Sequence, residues 1–231
     1  GTNDAPVVAS ALTASTDEDS AISVALLTGA SDIDAGSSIG VANFTQTAGR
    51  AAGATVTGGV VDFDPTAFQE LDDGDSEDFT YSYDIVDEHG ASVAQTLTIT
   101  VTGVNDAPLA TALSYTTDED QSSATADLLS SASDVDAFDT LSALNITQTA
   151  GRAVTPVIAG GMLTIDPSPF QDLALGESEV VSFAYDITDG DAVISNTVDF
   201  TIEGRNDTPV VNAAVSLQVA HSDSAFSYGL P

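Results

Sequence analysis

The motif Gly103-Val104-Asn105-Asp106-Ala107-Pro108 has a close copy at the start of the chain, Gly1-Thr2-Asn3-Asp4-Ala5-Pro6, and another near its end, Gly204-Arg205-Asn206-Asp207-Thr208-Pro209. The three asparagines stand 102 and 101 residues apart. A solenoid repeat is shorter and cannot bury a core by itself, whereas a unit of about a hundred residues can. The chain is therefore read as two tandem domains, residues 1–104 and 105–205, with residues 206–231 as the opening of a third, truncated unit. It starts and stops within repeat copies, as a fragment of a longer array does.

The two copies align along their length. Thr16-Asp17-Glu18-Asp19 returns as Thr117-Asp118-Glu119-Asp120, and Ser31-Asp32-Ile33-Asp34 as Ser133-Asp134-Val135-Asp136. Thr45-Gln46-Thr47-Ala48-Gly49-Arg50 returns unchanged at residues 147–152. Phe79, Tyr81, Tyr83 and Ile85 alternate with polar residues, as do Val181, Phe183, Tyr185 and Ile187, and Leu97, Ile99 and Val101. Period two puts one face of a strand in a core and the other in water. Gly58-Gly59 and Gly160-Gly161 between β-prone runs predict two-residue hairpins. Asp64-Pro65 and Asp166-Pro167, each before an apolar pair three apart, predict one capped turn of helix, with Phe and Leu plugging the core. The fold class is all-β: two tandem Ig-like or cadherin-like Greek-key β-sandwiches, end to end.

Thirty-six acids face three basic residues, a formal net charge of −33. Nucleic acid and anionic membrane surfaces are excluded as partners by that field. Disorder requires low hydrophobicity as well, and here 42% of residues are hydrophobic and patterned. A folded chain with this many acids calls for divalent cations to neutralise some of them. There is no cysteine, no run long enough to span a membrane and no signal peptide within these residues. Catalysis has no support: neither His89 nor His221 faces a nucleophile in a repeated motif, and the paired carboxylates are duplicated with the repeat, where an active site is expected once.

Val-Asn-Asp-Ala-Pro at the joint, Thr-Asp-Glu-Asp, Ser-Asp-Ile/Val-Asp and Tyr-Asp-Ile-x-Asp occur in this order in both copies. The chain so resembles the bacterial VCBS and tandem-95-type cadherin-like repeats of large secreted (RTX-type) adhesins. The resemblance implies calcium (Ca2+) bound at domain junctions, an extended rod, and a place outside the cell or on the bacterial surface. After Asn206 the pattern breaks; the tail resembles the first strands of a dystroglycan-type cadherin-like unit. Arg205 replaces Val104 and Thr208 replaces Ala107, which weakens the motif at the last joint.

Calcium takes six to eight oxygens at about 2.3–2.6 Å, and no loop here matches the twelve-residue EF-hand, so ligands must come from separate loops. For the middle joint the candidates are Asn105 and Asp106 from the linker, Asp17, Glu18, Asp19, Asp84 and Asp87 from copy one, and Asp134 and Asp136 from copy two. Asp-x-Asp on an extended segment can point two carboxylates the same way. By repetition Asn206 and Asp207 gather Asp118, Glu119, Asp120, Asp186 and Asp189, and the first joint keeps Asn3, Asp4, Asp32 and Asp34. A solvated turn accounts equally well for Thr-Asp-Glu-Asp. Asp84 and Asp186 read more simply as polar strand positions, and Asp64 and Asp166 as caps. A Thr96–Thr102 ladder hints at an ice- or sugar-binding face, but copy two does not keep it.

The expected function is a calcium-rigidified extender segment of a secreted or cell-surface bacterial adhesin, with neighbouring repeats of the same chain as partners. The alternative is a calcium-dependent module that binds a cell-surface glycan or protein receptor. The absence of Trp, and Tyr and Phe residues in the core phase of strands, argue against an exposed aromatic platform.

Overall fold

The computed structural model describes residues 1–209; the tail assigned to a third unit lies, from residue 210 on, outside the described residues. Repeat 1 holds β1 (Val7–Val8), β2 (Leu12–Asp17), β3 (Ile22–Ala25), β4 (Ala30–Ser31), β5 (Ile39–Ala48), β6 (Ala54–Thr57), β7 (Val60–Phe63), β8 (Ser76–Asp87) and β9 (Ser92–Thr102). Repeat 2 holds β10 (Leu113–Asp118), β11 (Ala124–Asp127), β12 (Ser142–Ala150), β13 (Val157–Ala159), β14 (Met162–Ile165), β15 (Ser178–Thr188) and β16 (Val193–Glu203).

Each repeat is a sandwich of a four-stranded and a three-stranded sheet. The orders are β2-β9-β8-β5 over β3-β7-β6, and β10-β16-β15-β12 over β11-β14-β13. β2 pairs with β9 in parallel, as β10 does with β16, while the other pairs are antiparallel. The period-two residues supply the core as expected. Phe79, Ile85, Leu97, Ile99 and Val101 are fully buried, as are Val181, Phe183, Ile187, Val198 and Ile202 in the second copy. Tyr83 and Tyr185 are buried because each hydroxyl finds an acceptor, donating to the Leu26 and Leu128 carbonyls at 2.9 Å.

The two glycine pairs form the β6–β7 and β13–β14 hairpins. All four residues have φ between +57° and +81°, the left-handed region that a two-residue turn of this twist requires. The helical turn is realised only in repeat 2, as a 3-10 turn at Ser168–Phe170 whose N-cap is Pro167, without the expected side-chain cap; repeat 1 makes a plain turn there. Asp64 and Asp166 accept from the backbone N–H of Thr66 and Ser168 and so close these turns locally. The unchanged Thr-Gln-Thr-Ala-Gly-Arg motif serves the same region. The Arg50 guanidinium lies 4.6 Å from the Phe68 ring centre and pairs with Glu70 and Glu77, and Arg152 repeats this with Phe170, Asp172 and Glu179. The longest conserved string between the copies thus clamps a loop over the core.

Strand direction decides which acids can meet. β8 runs for 12 residues, about 40 Å at 3.3 Å per residue. Its first residue, Ser76, lies opposite Thr102 at the exit end of the repeat, and its last, Asp87, lies at the entry end. The β8–β9 turn is therefore far from the outgoing linker and near the incoming one.

Candidate metal centre

The middle joint starts from a buried acid. β2 ends at Asp17, and the Glu18 N–H donates to the Thr102 carbonyl, which turns the Glu18 side chain under the linker. Glu18 is fully buried; its Oε1 accepts the Val104 N–H at 2.8 Å. Gly103 is needed at this step because a Cβ would run into the Asp72 carbonyl. From the linker, the Asp106 N–H donates to Asp136 Oδ2 at 2.7 Å, and Asn105 Nδ2 donates to the Asp106 carbonyl at 2.9 Å and reaches Asp189 Oδ2 at 3.5 Å. Within repeat 2 the Asp136 N–H donates to Asp134 Oδ1 at 3.2 Å, the Asp-x-Asp pincer closing on itself. The next N–H, that of Ala137, crosses to the Glu70 carbonyl of repeat 1 at 3.1 Å.

These bonds use one oxygen each of Glu18, Asp134 and Asp136 and leave the other idle, while Asp189 accepts on both. Glu18 Oε2, Asn105 Oδ1, Asp134 Oδ2 and Asp136 Oδ1 are all buried without a hydrogen-bond partner among the described residues. Asp17 Oδ1 is in the same condition. Stranding a buried polar atom costs about 1–3 kcal/mol, more when it is charged, so several at one joint call for a group not supplied by the protein.

Two further groups of oxygens lie close. Asp72, Asp136 and Asp139 each place a carboxylate oxygen within 4.8 Å of the others, as do Asp134, Asp139 and Asp189. Two ligands of one calcium ion are at most about 5.2 Å apart, twice the longest usual bond, so each triad fits around one ion. The donors are all oxygens, which selects a hard cation such as calcium and not the nitrogen- and sulfur-seeking transition metals. Without an ion the carboxylates resist ionising. Burial pushes the Glu18, Asp106 and Asp136 carboxyls up, and their neighbours push further: Asp136 and Asp106 on Glu18, Asp19 and Asp134 on Asp106. The Asp139 carboxyl is raised by desolvation and then by Asp72, Asp134 and Asp189.

Of the residues read from the sequence, Glu18, Asn105, Asp106, Asp134 and Asp136 converge at the middle joint, with Asp17 beside Glu18 and the exposed Asp19 near enough to act on Asp106. Asp84 and Asp87 do not join them. Asp84 accepts from Asn43, a residue at φ +55° in the bulge of β5, and Asp186 accepts from its counterpart Asn145. Asp87 accepts from Asn3 at 2.7 Å at the opposite end of repeat 1. By the same geometry Asp189 belongs to the middle joint and not to the last one. The reason is the length of β8 and β15, which carry their terminal turns to the entry end.

The entry end of repeat 1 repeats the downstream half of the site. The Asp4 N–H donates to Asp34 Oδ2 and the Asp34 N–H to Asp32 Oδ1, both at 2.8 Å, while Asp32 Oδ2 is buried without a partner among the described residues. The exit end of repeat 2 repeats the upstream half. Glu119 is 1% exposed, its Oε1 accepts the Arg205 N–H at 2.6 Å, and Asp120, Asn206 and Asp207 are exposed nearby in sequence.

Asp72 and Asp139 are additional candidate ligands that the repeat pattern does not mark. Their counterparts in the other copy are Ala174 and Ser37, so reading by repetition passed over them; the acidic run after Leu71 and the third acid after Asp134 and Asp136 were the available signals.

The cadherin-like domain family matches residues 2–102 and again 104–203. No curated protein matches. Among solved structures, Drosophila N-cadherin EC1-4 aligns with a TM-score of 0.51 and 17% identity over 88% of this chain and 50% of its own. Human mucin-like protocadherin EC1-2 aligns with a TM-score of 0.48 and 13% identity over 87% of this chain and 98% of its own. An endo-fucoidan hydrolase of glycoside hydrolase family 107 aligns with a TM-score of 0.32 and 20% identity over 87% of this chain and 29% of its own. The chain spans half or less of the first and last of these, and the likeness to N-cadherin is one of fold alone.

Proposed function

The chain belongs to the cadherin-like domain family, and from that premise we propose that it is an extender segment of a secreted or cell-surface bacterial adhesin, made rigid by calcium at the joint between its two repeats. The observation that carries this reading is the set of buried oxygens without partners at the middle joint, contributed by repeat 1 (Glu18), the linker (Asn105) and repeat 2 (Asp134, Asp136). Glu18, Asp72, Asn105, Asp106, Asp134, Asp136, Asp139 and Asp189 would hold the ions. Bound calcium would supply positive charge and a coordination shell drawn from both repeats. The protein's own part is to bring these acids together, with Asp106 N–H on Asp136 and Ala137 N–H on Glu70 setting the register of one repeat on the next.

Extracellular calcium sites typically have Kd near 10⁻⁴–10⁻³ M. At about one hundred times Kd, each site adds about 2.7 kcal/mol to the folded state, a sizeable fraction of a small domain's total. In calcium-poor surroundings the same acids repel, which favours an open joint. Calorimetric titration with calcium, together with small-angle scattering with and without chelator, tests the reading. Heat on titration with a longer, stiffer particle in calcium supports it; no heat and an unchanged scattering curve remove it.

One observation favours the alternative, a module that itself binds a surface glycan or protein. Phe138 is 99% exposed with φ +80°, in the loop that carries Asp139. A glycan and receptor screen with and without calcium, repeated with Phe138→Gly, separates contact by this side chain from simple spacing.

A further inference from the structure

The exit ends of the two repeats share a frame and differ in charge. In repeat 1, Glu18 Oε1 accepts the Val104 N–H, and Asp17 Oδ1 is buried without a partner among the described residues. In repeat 2, Glu119 Oε1 accepts the Arg205 N–H, and Glu119 Oε2 is again buried without a partner among the described residues. Several residues then depart. Ala174 takes the place of Asp72, its carbonyl meeting Gly204 as that of Asp72 meets Gly103. Arg205 takes the place of Val104, and its Nη2 donates to Asp118 Oδ2 at 3.2 Å and lies 3.7 Å from Glu203. Gln121 Nε2 reaches the other Asp118 oxygen at 3.2 Å. The aspartate that leaves a buried oxygen without a partner in repeat 1 accepts on both oxygens in repeat 2. Asp72 and Asp73 become Ala174 and Leu175, Thr102 becomes Glu203, and Val104 becomes Arg205; two acids are lost and one acid and one cation are gained, so these positions are two charge units less negative than their counterparts.

We propose that Arg205 is a resident cation: its guanidinium supplies from within the chain part of the positive charge that the middle joint must draw from solution. The exit end of repeat 2 then closes without a divalent ion and takes up fewer ions when they are present. The statement about ion number rests on the metal reading of the middle joint; the statement about closure concerns the protein alone. Desolvation pushes the Asp118 carboxyl up, but the hydrogen bonds from Gln121 and Arg205 outweigh it and hold the group below its usual range. The pair is partly exposed, 18% for Asp118 and 46% for Arg205, so by itself it adds little stability. Its effect is on how much positive charge the acidic end still requires. The two joints then answer calcium differently, the middle one switching with it and the last one preset.

The test uses the whole chain and calcium chloride. Arg205→Val installs the residue of the middle joint, Arg205→Lys keeps the charge, and Val104→Arg moves a cation to the middle joint. In calorimetric titration, Arg205→Val gains a calcium equivalent or tightens the weakest class about tenfold. Arg205→Lys matches the unmutated chain, and Val104→Arg loses an equivalent. In excess chelator, hydrogen exchange of the residue-205 amide that bonds Glu119 quickens about threefold or more in Arg205→Val and stays unchanged in Arg205→Lys. If Arg205→Val alters neither titration nor exchange, the resident cation is overturned. If the unmutated chain takes up no calcium at all, the metal reading fails, and exchange in chelator alone decides for or against Arg205.

Discussion

The Asp106 N–H donates to Asp136 Oδ2 at 2.7 Å, while Oδ1 of the same carboxylate is buried without a partner among the described residues. One oxygen ties the linker to repeat 2, and the proposed function gives the other to a cation. Asp136→Asn separates these roles by keeping an oxygen for Asp106 and removing the charge. In chelator the variant is more stable than the unmutated chain by about 1 kcal/mol, the repulsion of one like-charged pair near 4 Å in water-like surroundings. In saturating calcium it forfeits most of the roughly 2.7 kcal/mol that a site supplies at one hundred times Kd. Urea unfolding in both conditions shows opposite signs; a variant weaker in both would mean that Asp136 serves only packing.

Asp72→Ala and Asp139→Ser replace each joint acid with the residue of the other copy. Each weakens calcium binding about tenfold, 1.4 kcal/mol, because each removes an oxygen from a triad. The β-sheet circular dichroism stays the same, since both positions lie outside strands. Unchanged calorimetric isotherms would exclude the triads as ligand sets.

The pH profile inverts between chelator and calcium. Glu18, Asp106 and Asp136 have folded-state pKa values raised by burial and by one another above 4.5 for Glu and 3.8 for Asp. The folded chain then binds more protons than the unfolded one, so in chelator stability falls as pH climbs from the ordinary carboxylate range through the raised values. Asp87 and Asp186 are lowered, first by hydrogen bonds from Asn3 and Asn145, and contribute stability that is lost as pH falls below 3.8 through their folded values. The optimum in chelator therefore lies well to the acid side of neutral, within the ordinary carboxylate range where the two opposing slopes meet. In calcium, protons compete with the ion and stability rises toward neutral. Melting temperatures between about pH 4 and 8 in each condition check the crossing.

Tyr81→Phe stabilises repeat 1 by about 1 kcal/mol, because the Tyr81 hydroxyl is buried without a partner among the described residues and repeat 2 already has Phe183 at this place. The ring keeps its stack on Phe44, whose centre is 4.9 Å away. Tyr83→Phe costs about 1 kcal/mol, since the Leu26 carbonyl loses its 2.9 Å donor. Chemical denaturation of the pair resolves the opposite signs.

Phe138→Gly raises stability by about 1 kcal/mol by relieving a left-handed backbone at φ +80°, where repeat 1 has Gly36 at φ +87°. The side chain, 99% exposed, gives up no packing. A loss of stability on urea unfolding would overturn the reading of this backbone as strained.

The strands and core were open to reading because burial and period two leave the same mark: Phe79, Tyr81, Tyr83 and Ile85 alternate in sequence and are the buried face of β8. The linker and Asp-x-Asp residues were visible as repeated oxygen donors. Two things were hidden. Strand direction places Asp87 and Asp189 at entry ends, and nothing local to either residue reports that. Asp72 and Asp139 belong to one joint only, so the repetition that exposed Asp134 and Asp136 obscured them. The unchanged Arg50 motif shows the converse: identity between copies there reflects the ring of Phe68 and the acids Glu70 and Glu77, which every copy needs to close its loop.

The parallel pairing of β2 with β9 has a mechanical consequence. The incoming chain enters at one end of the sandwich and the outgoing chain leaves at the other, and their strands lie side by side from Leu12↔Leu97 to Asp17↔Thr102. Tension drawn between the two termini of a repeat pulls these neighbours past each other along their length, in shear. The ladder bonds then carry the load together and must fail together, where an antiparallel terminal pair would unzip one bond at a time. Repeat 2 has the same arrangement in β10 and β16. Each repeat is thus built to hold its length under traction, and its rupture is set by an unfolding rate and not by equilibrium stability.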